Sequence, residues 1–556
     1  MMSHGIKGQN QFTHKAMLLL IVQLVLHPIS SCSGDPNLTY ACQTAHGAQC
    51  KQLPFVPGHT LVGQGFNIVT MKPTKLLLID VQSYSGPDKK CTLCHNPHMN
   101  NELQKLPMSV VQWRPETQCT RKVYSKVSRS ALSLNEESSA MLNKEWSASL
   151  DLTVKQVNAK VVLAGSQSEL TKFTESKSST DRYSFSSMQL TCSYYSFNLG
   201  DRPQLTRYFR KELNMLPTSF DDAAKIKYRQ LIEKYGTHYM TSAEVGGQVL
   251  EVTALQTCRI SMEGMTEEEI KDCLEIEASI AVADKGEAST KAKTCKELNQ
   301  KRSKGESFHQ TFSEKNWQVN GGKTTFGLLS FDSDVKENSV FDEWFESLKT
   351  MPDVLSYSLR PIHELVRFKG PQKENLRKAI SAYIIENALQ KNCSCPGSSQ
   401  ISIAAECSCV CHASPERGQN CCPTKKGLAK LVVTVKHANG LWGDYISSTD
   451  AYIKVSFGNE KRGTSTIWNN NNPIWNIRFD MGFVDLSSVF KLKVEIWDED
   501  NKYDDDLLGA CDKSLTSGQV NTICYAQHGS LTYSYNVTCV PHLSGSQCQD
   551  YKPFKE

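Results

Sequence analysis

Three absences bound what this 556-residue chain can be. Charge of one sign is not in excess: 62 lysines and arginines against 58 aspartates and glutamates leave +4. That balance lacks the basic footprint of a nucleic-acid binder. Long apolar runs are missing too, the longest being Met17–Leu26 (MLLLIVQLVL), about half of what a spanning helix needs. Hydrolytic signatures are the third absence. There is no G-x-S-x-G elbow, and His363 to Arg367 (HELVR) is the zincin motif without its second histidine. The chain reads as a non-enzyme with neither a nucleic-acid partner nor a small-molecule substrate.

Cysteine is abundant, with 21 residues. The short apolar run follows Lys7, His14 and Lys15 and leaves through small residues (HPISSCSG), the layout of a signal peptide over residues 1–32. Removing it takes Cys32 and leaves an even number of thiols, which an oxidising compartment lets pair. Asn37, Asn392 and Asn536 head N-glycosylation sequons usable in the same compartment. Cys91 to His95 (CTLCH) mimics a haem-attachment motif and, with His98, half a zinc site. Neither has a second half, so disulfides account for these cysteines better.

The rest of the chain divides by composition. Residues 33–388 mix strand-like and helical stretches. A helix is expected over Asp221–Tyr235, with apolar positions Ile226, Leu231 and Ile232, stopped by Gly236 and followed by strand alternation. Residues 389–426 hold a dense cysteine run that needs covalent staples in place of a core. Residues 427–525 alternate as short strands separated by turns, an antiparallel β-sandwich. Residues 526–556 are left as a cysteine-containing tail.

Within the sandwich, residues 497–509 (WDEDNKYDDDLLG) crowd six acids into one loop. Clustered aspartates on loops supply the six to eight oxygens that calcium takes. A second loop, GLWGDYISSTDAYIKV, offers Asp444 and Asp450. The pair of loops resembles the C2 domain, a calcium- and phospholipid-binding β-sandwich. By that resemblance Asp444, Asp450, Asp498, Asp500 and Asp506 are the expected calcium ligands, with Asp504 and Asp505 as additional acids. Trp442, Tyr445, Trp468 and Tyr503 ride on these loops, where aromatic rings suit a membrane interface. Trp475 and Trp497 fall inside strands and read as core.

Tyr228 to Tyr239 (YRQLIEKYGTHY) fits the signature of the membrane-attack-complex/perforin family: Tyr228, then Tyr235, Gly236, Thr237, His238 and Tyr239. Gly246 and Gly247 follow as a candidate bend, and PFVPGHTLVGQGFNIVTM (54–71) resembles the opening of the same family. His238 is read as structural. The family resemblance implies an α+β fold: a bent antiparallel sheet flanked by helical clusters over 33–388, an EGF-like module at 389–426 and the C2 domain at 427–525. It further implies a secreted protein of cytolytic granules that binds the phospholipid membrane of a target cell with calcium and assembles into a homo-oligomeric ring. Two helical clusters then unfurl into β-hairpins, about 145–195 and 275–315, that line a barrel and admit granule proteases. The residues can support this. From Ile276 the even positions run Ile, Ala, Ile, Val, Asp, Gly, Ala, Thr, Ala, while the odd ones carry Glu277, Lys285, Glu287, Lys291 and Lys293, the alternation of a barrel strand. The stretch SASLDLTVKQVNAKVVLAG alternates as well but slips phase near Lys155-Gln156; by pattern alone both segments equally suit ordinary amphipathic structure. The alternative is a calcium-dependent tether or adhesion protein that never perforates.

Overall fold

The computed structural model describes residues 42–554, apart from 120–121, 141, 143, 155–158, 284–289, 303–306, 325–338, 369, 393–401, 404–408, 444, 446 and 501–503. The expected signal peptide, Asn37, Asp444 and Tyr503 lie outside the described residues. One large antiparallel sheet organises the first two thirds of the chain. Its strands are β1 (Gln64–Asn67), β2 (Lys72–Leu77), β3 (Val110–Cys119), β4 (Tyr124–Ser128), β5 (Tyr183–Leu199), β6 (His238–Gln256), β7 (Lys315–Asn320) and β8 (Asp353–Pro361). The order is β2-β1-β6-β5-β3, with β4 added to β5 and both β7 and β8 added to β6. Strand β6 is therefore the axis. It pairs with β5 from Ser242–Asn198 to Gln256–Tyr183, while β8 borders its first half and β7 its second.

The register against β5 slips between Val245 and Gly246, beside the glycine pair expected as a bend. Close approach explains both residues. A Cβ on Gly246 would sit 2.0 Å from the Cys192 carbonyl oxygen, and one on Gly247 would strike Leu348 and Trp344 within 2.6 Å. Any side chain here would push the neighbouring strand and helix away.

Helices fill two long insertions in this sheet. The first, between β4 and β5, carries α1 (Ala131–Ala140) and α2 (Glu169–Ser178). It also contains a short strand, Ala159–Val162, that pairs with Leu389–Asn392. Helical structure in this insertion thus starts at Ala131, before the expected hairpin of about 145–195, and from Tyr183 onward the chain is already sheet. Helices α3 (Arg207–Asn214) and α4 (Asp222–Tyr235) precede β6. The second insertion, between β6 and β7, holds α5 (Thr257–Met262), α6 (Glu267–Ala283), α7 (Thr290–Arg302) and α8 (Phe308–Thr311). Helices α9 (Ser339–Leu348) and α10 (Gln372–Glu386) complete the unit.

The expected helix and its stop are present. Asp221 caps α4 by accepting the Ala224 amide at 2.9 Å, and Gly236 ends it at φ +83°, a conformation that favours glycine. Ile226 is corrected, however: it is 60% exposed, because the buried stripe is Ala224, Tyr228, Leu231, Ile232 and Tyr235. In α6 the buried stripe is Ile270, Leu274, Ala278 and Val282, the four-residue repeat of a helix lying on a core.

Among the described residues the C-terminal sandwich has eight strands: β9 (Leu428–Asn439), β10 (Ala451–Phe457), β11 (Glu460–Gly463), β12 (Ile474–Asp485), β13 (Leu492–Asp498), β14 (Asp506–Lys513), β15 (Gly518–Tyr525) and β16 (Ser530–Cys539). They form two four-stranded sheets, β12-β9-β16-β15 and β11-β10-β13-β14. The boundary expected at 525 is therefore too early. Strand β16 is central in its sheet, and Leu531, Tyr533, Tyr535 and Val537 point alternately into the core. Trp475 is buried as expected, but Trp497 is not core. Leu492, Val494 and Ile496 face inward, so Trp497 falls on the outer face, where the Lys454 ammonium lies 4.1 Å from its ring.

Disulfides staple the whole chain. Cys42–Cys94 and Cys50–Cys91 consume both cysteines of the haem-like motif. Cys511–Cys524 and Cys539–Cys548 brace the sandwich, and Cys411–Cys421 closes part of the cysteine-dense region. Cys258–Cys422 ties that region to α5, at the point where the second insertion leaves β6. Next to it, where the first insertion enters β5, Asp181 is buried beneath the C-terminal segment. Its carboxylate accepts the Tyr551 hydroxyl and the Phe554 amide (3.3 Å), and lies 3.4 Å from His542 Nδ1.

Candidate functional site

The sandwich register gathers the acids at one end. Asp450 immediately precedes β10, Asp498 ends β13 and Asp506 begins β14; Ala451 lies opposite Asp498, and Asp498 opposite Asp506. Asp498 is only 1% exposed, an expensive place for a carboxylate unless compensating groups reach it. Its Oδ1 accepts the Asp450 amide at 2.6 Å. Asp450 Oδ1 in turn accepts the Asn469 amide at 2.6 Å, which ties the β11–β12 loop into the cluster. Gly443 packs on Asp498 so closely that a Cβ would come 1.7 Å from Oδ2. The backbone next to Asp444 is thus against the buried carboxylate.

Around this centre, Asp500, Asp504 and Asp506 are exposed. Asp505 Oδ2 accepts the Tyr452 hydroxyl at 2.6 Å. Burial and this carboxylate push the Tyr452 phenol far above its usual value. Among the described residues, no lysine or arginine forms a salt bridge with Asp450, Asp504, Asp505 or Asp506. No group of three potential ligands is already closed around a metal-sized gap among those residues. The donor chemistry nevertheless fits calcium: several carboxylate oxygens on two adjacent loops, with the β11–β12 loop bonded to them through the Asn469 amide.

Trp442, Tyr445 and Trp468 stand around the same end, with Tyr445 92% exposed. Trp442 packs edge-on against Tyr445 and His528. Leu507, which the sequence reading passed over, adds an exposed aliphatic side chain directly after Asp506. Its signal was present, since residues beside ligand loops reach the same surface.

The signature segment does a different job. Tyr228 and Tyr235 are buried, the former donating to the Pro217 carbonyl at 2.6 Å. Thr237 Oγ1 accepts the Ile68 amide at 3.0 Å and donates to the Phe66 carbonyl at 3.2 Å, fixing β1 to the start of β6. Tyr239 is buried in the same strand. His238 is fully buried, between Thr237 Oγ1 and the Trp146 carbonyl, each at 2.7 Å. Burial lowers its pKa to about 4, so the ring is neutral and holds the first insertion's backbone against β6. Nearby, buried His363 Nε2 meets Ser149 Oγ, also of the first insertion, at 3.1 Å.

The second insertion is held by a cluster that carries no sequence motif. Glu251 of β6 has no exposed surface; Lys315 Nζ lies 3.2 Å from its carboxylate and His309 Nδ1 3.5 Å. Burial raises its pKa, but His309 and Lys315 outweigh that and hold it below the usual carboxylate range. Thr253 donates to the other oxygen at 2.9 Å. Glu277 of α6 accepts the Phe308 and His309 amides at 2.9 and 3.0 Å, capping α8.

Both halves of this arrangement match known families. Residues 55–393 match the MAC/Perforin domain, and residues 429–529 match the C2 domain. Perforin-1 of Rattus norvegicus is 40% identical over 519 residues, covering 92% of this chain and 93% of that protein. Perforin-1 of Homo sapiens is 38% identical over 518 residues with the same coverage. Complement component C6 of Bos taurus is 32% identical over 228 residues, 39% of this chain and 24% of that protein. A sheet with two helical insertions, a shared signature on its axial strand and near-full-length relatives lead to one assignment: the chain belongs to the MAC/Perforin family.

Proposed function

We propose that this chain is a secreted pore-forming cytolysin of cytolytic granules. It binds the target-cell membrane through its C2 domain, assembles into a ring with its own copies and inserts β-hairpins from its two helical insertions. The observation that carries this reading is the pair of insertions on neighbouring strands β5 and β6. Each is far longer than a hairpin needs, since a barrel-spanning strand takes only about 9–11 residues. The passage of granule proteases through the pore is part of the same reading. So is the division into residues 1–32, 33–388, 389–426 and 427 onward.

Asp444, Asp450, Asp498, Asp500 and Asp506 are the residues that would hold calcium, with Asp504 and Asp505 at the margin. Calcium bound there supplies positive charge against the carboxylate field that otherwise repels anionic lipid. Trp442, Tyr445, Trp468 and Tyr503 are the residues that would enter the headgroup layer, which favours such rings. Asn536, exposed on β16, is proposed as a glycosylation site together with Asn37 and Asn392. Gly246 and Gly247, beside the register slip in β6, are the proposed bend on which the insertions would swing.

Dye release from phosphatidylserine-containing liposomes, with and without calcium, tests the reading when followed by electron microscopy of the same vesicles. Calcium-dependent leakage with ring-shaped oligomers is expected, and Asp498→Asn should abolish both binding and leakage. Binding without leakage would favour the tether instead.

A further inference from the structure

The second insertion contains a covalent bond that also determines how it could lie in a membrane. Cys273 of α6 is bonded to Cys295 of α7, with 5.5 Å between their Cα atoms. That separation is also the spacing of directly opposed, hydrogen-bonded residues in an antiparallel strand pair. The bond need not stretch or break if the helices became strands. The residues between the two cysteines are symmetric about Asp284, leaving ten on each side, 274–283 and 285–294. A barrel strand spans the apolar layer with 9–11 residues.

The register imposed by this bond sorts the side chains. Pairing Cys273 with Cys295 places Glu275 opposite Lys293, Glu277 opposite Lys291 and Ser279 opposite Ser289. Opposite charges directly across a strand pair attract, and like charges would oppose pairing. The other face takes Leu274 with Thr294, Ile276 with Ala292, Ala278 with Thr290 and Ile280 with Ala288. Every charge of the two strands falls on the first face and none on the second. Asp284 and Gly286, both turn-forming types, fall at or beside the midpoint of the sequence between the two cysteines.

The helical state uses these residues differently. Lys291 pairs with Asp272 at 3.1 Å, Glu275 accepts the Ser125 hydroxyl at 2.5 Å and Glu277 caps α8. Ile276 is half-buried and Ile280 is 36% exposed, so the helix leaves part of the strand's apolar row in water.

We infer that Cys273–Cys295 stays intact through insertion and closes the base of the second membrane hairpin, with Leu274, Ile276, Ala278, Ile280 and Val282 facing lipid and Glu275, Glu277, Lys291 and Lys293 facing the water-filled lumen. This inference rests on the pore-forming reading above. It assigns a lipid-contacting surface, a register and a role for one disulfide within it.

The test uses the full-length oxidised protein on phosphatidylcholine/phosphatidylserine liposomes with calcium. Leakage should proceed without reductant, and non-reducing peptide mapping of the recovered pores should return the Cys273–Cys295 peptide intact. Leakage only after reduction, or a broken bond in the pores, would overturn the inference. Face assignment is read from two lysine substitutions next to one another. Ile280→Lys should slow leakage by about thirtyfold or more, since lysine on the lipid face costs about 2 kcal/mol or more. Ser279→Lys should stay within about threefold of the parent. Equal or reversed effects would overturn the assignment. Lys293, exposed in this structure, supplies a third arm: Lys293→Glu should slow leakage severalfold and Glu275→Lys added to it should restore the rate. Failure of that rescue would overturn the register. Liposome cosedimentation accompanies every variant. A parent that binds but never leaks defeats the pore reading itself, whereas a leaking parent without the even/odd difference defeats only this hairpin.

Discussion

The first insertion is held by neutral hydrogen bonds, from His238 of β6 to the Trp146 carbonyl and from His363, just past β8, to Ser149. The second reaches β6 through His309 of α8, which together with Lys315 of β7 faces the buried Glu251 carboxylate, and adds the Cys273–Cys295 bond within itself. The contacts sit near opposite ends of β6. Neutral bonds to a buried imidazole weaken only when acid protonates it, whereas a buried ion cluster fails when one partner is removed. The two insertions can therefore be loosened separately, by different perturbations.

The largest expected effect breaks the charged side. Glu251→Ala leaves Lys315 in a buried site without its carboxylate and should cost about 3–5 kcal/mol. Hydrogen exchange should show lost protection in α6 and α8 with α2 unchanged; equal loosening of both insertions would erase the contrast. Replacing Cys273 and Cys295 together by serine should loosen the second insertion by about 3 kcal/mol, the chain-entropy value for a loop of that size. Exchange across α6 and α7 reads this out.

Acid should act on the first insertion. Burial lowers His238 to about 4, and burial with the nearby Lys373 and Arg377 lowers His363 to about 4. A lowered folded value means that the unfolded chain binds the proton first. The stabilisation is complete above about pH 6.5 and is lost as pH falls toward 4, by roughly 3 kcal/mol for a fully buried ring. Melting temperature should drop across that window, and His238→Gln should flatten the dependence; an unchanged slope would remove His238 from the account. The smallest effect, about 1 kcal/mol, is expected for Ser149→Ala, which removes one hydroxyl and its hydrogen bonds to His363 and, at 3.4 Å, to Glu364. It should raise exchange near residues 144–150 only.

Much of this was legible in the sequence because local rules decided it. The Asp221 cap, the Gly236 stop and the long strand after it follow from residue types in order. The acidic loops announced themselves by crowding, and β-sheet register then placed Asp450, Asp498 and Asp506 together. The errors also have local causes. Ile226 is apolar but lies off the stripe defined by Ala224, Tyr228 and Leu231. Trp497 is out of phase with Leu492, Val494 and Ile496. Strand β16 alternates plainly, yet Cys539 and the nearby Cys548 group it with a cysteine-containing tail. The Glu251 cluster was beyond reach, since it joins residues 251, 309 and 315 through tertiary packing alone. The segment from Ile270 to Val282 explains why periodicity was ambiguous there. It is apolar at every fourth residue from 270 and at every second from 274, so one sequence satisfies both a helix and a strand.

Cys258–Cys422 bears on how far the parts of this molecule can separate. Non-covalent contacts such as those around Asp181 can open and close, but the bond keeps the start of the second insertion within a few ångströms of the chain that leads into the sandwich. A short tether of that kind holds two modules at effective concentrations in the millimolar range. A sandwich resting on lipid therefore delivers its attached sheet to the bilayer surface at a density that free diffusion would not reach, and each arriving copy raises the local concentration its neighbours meet.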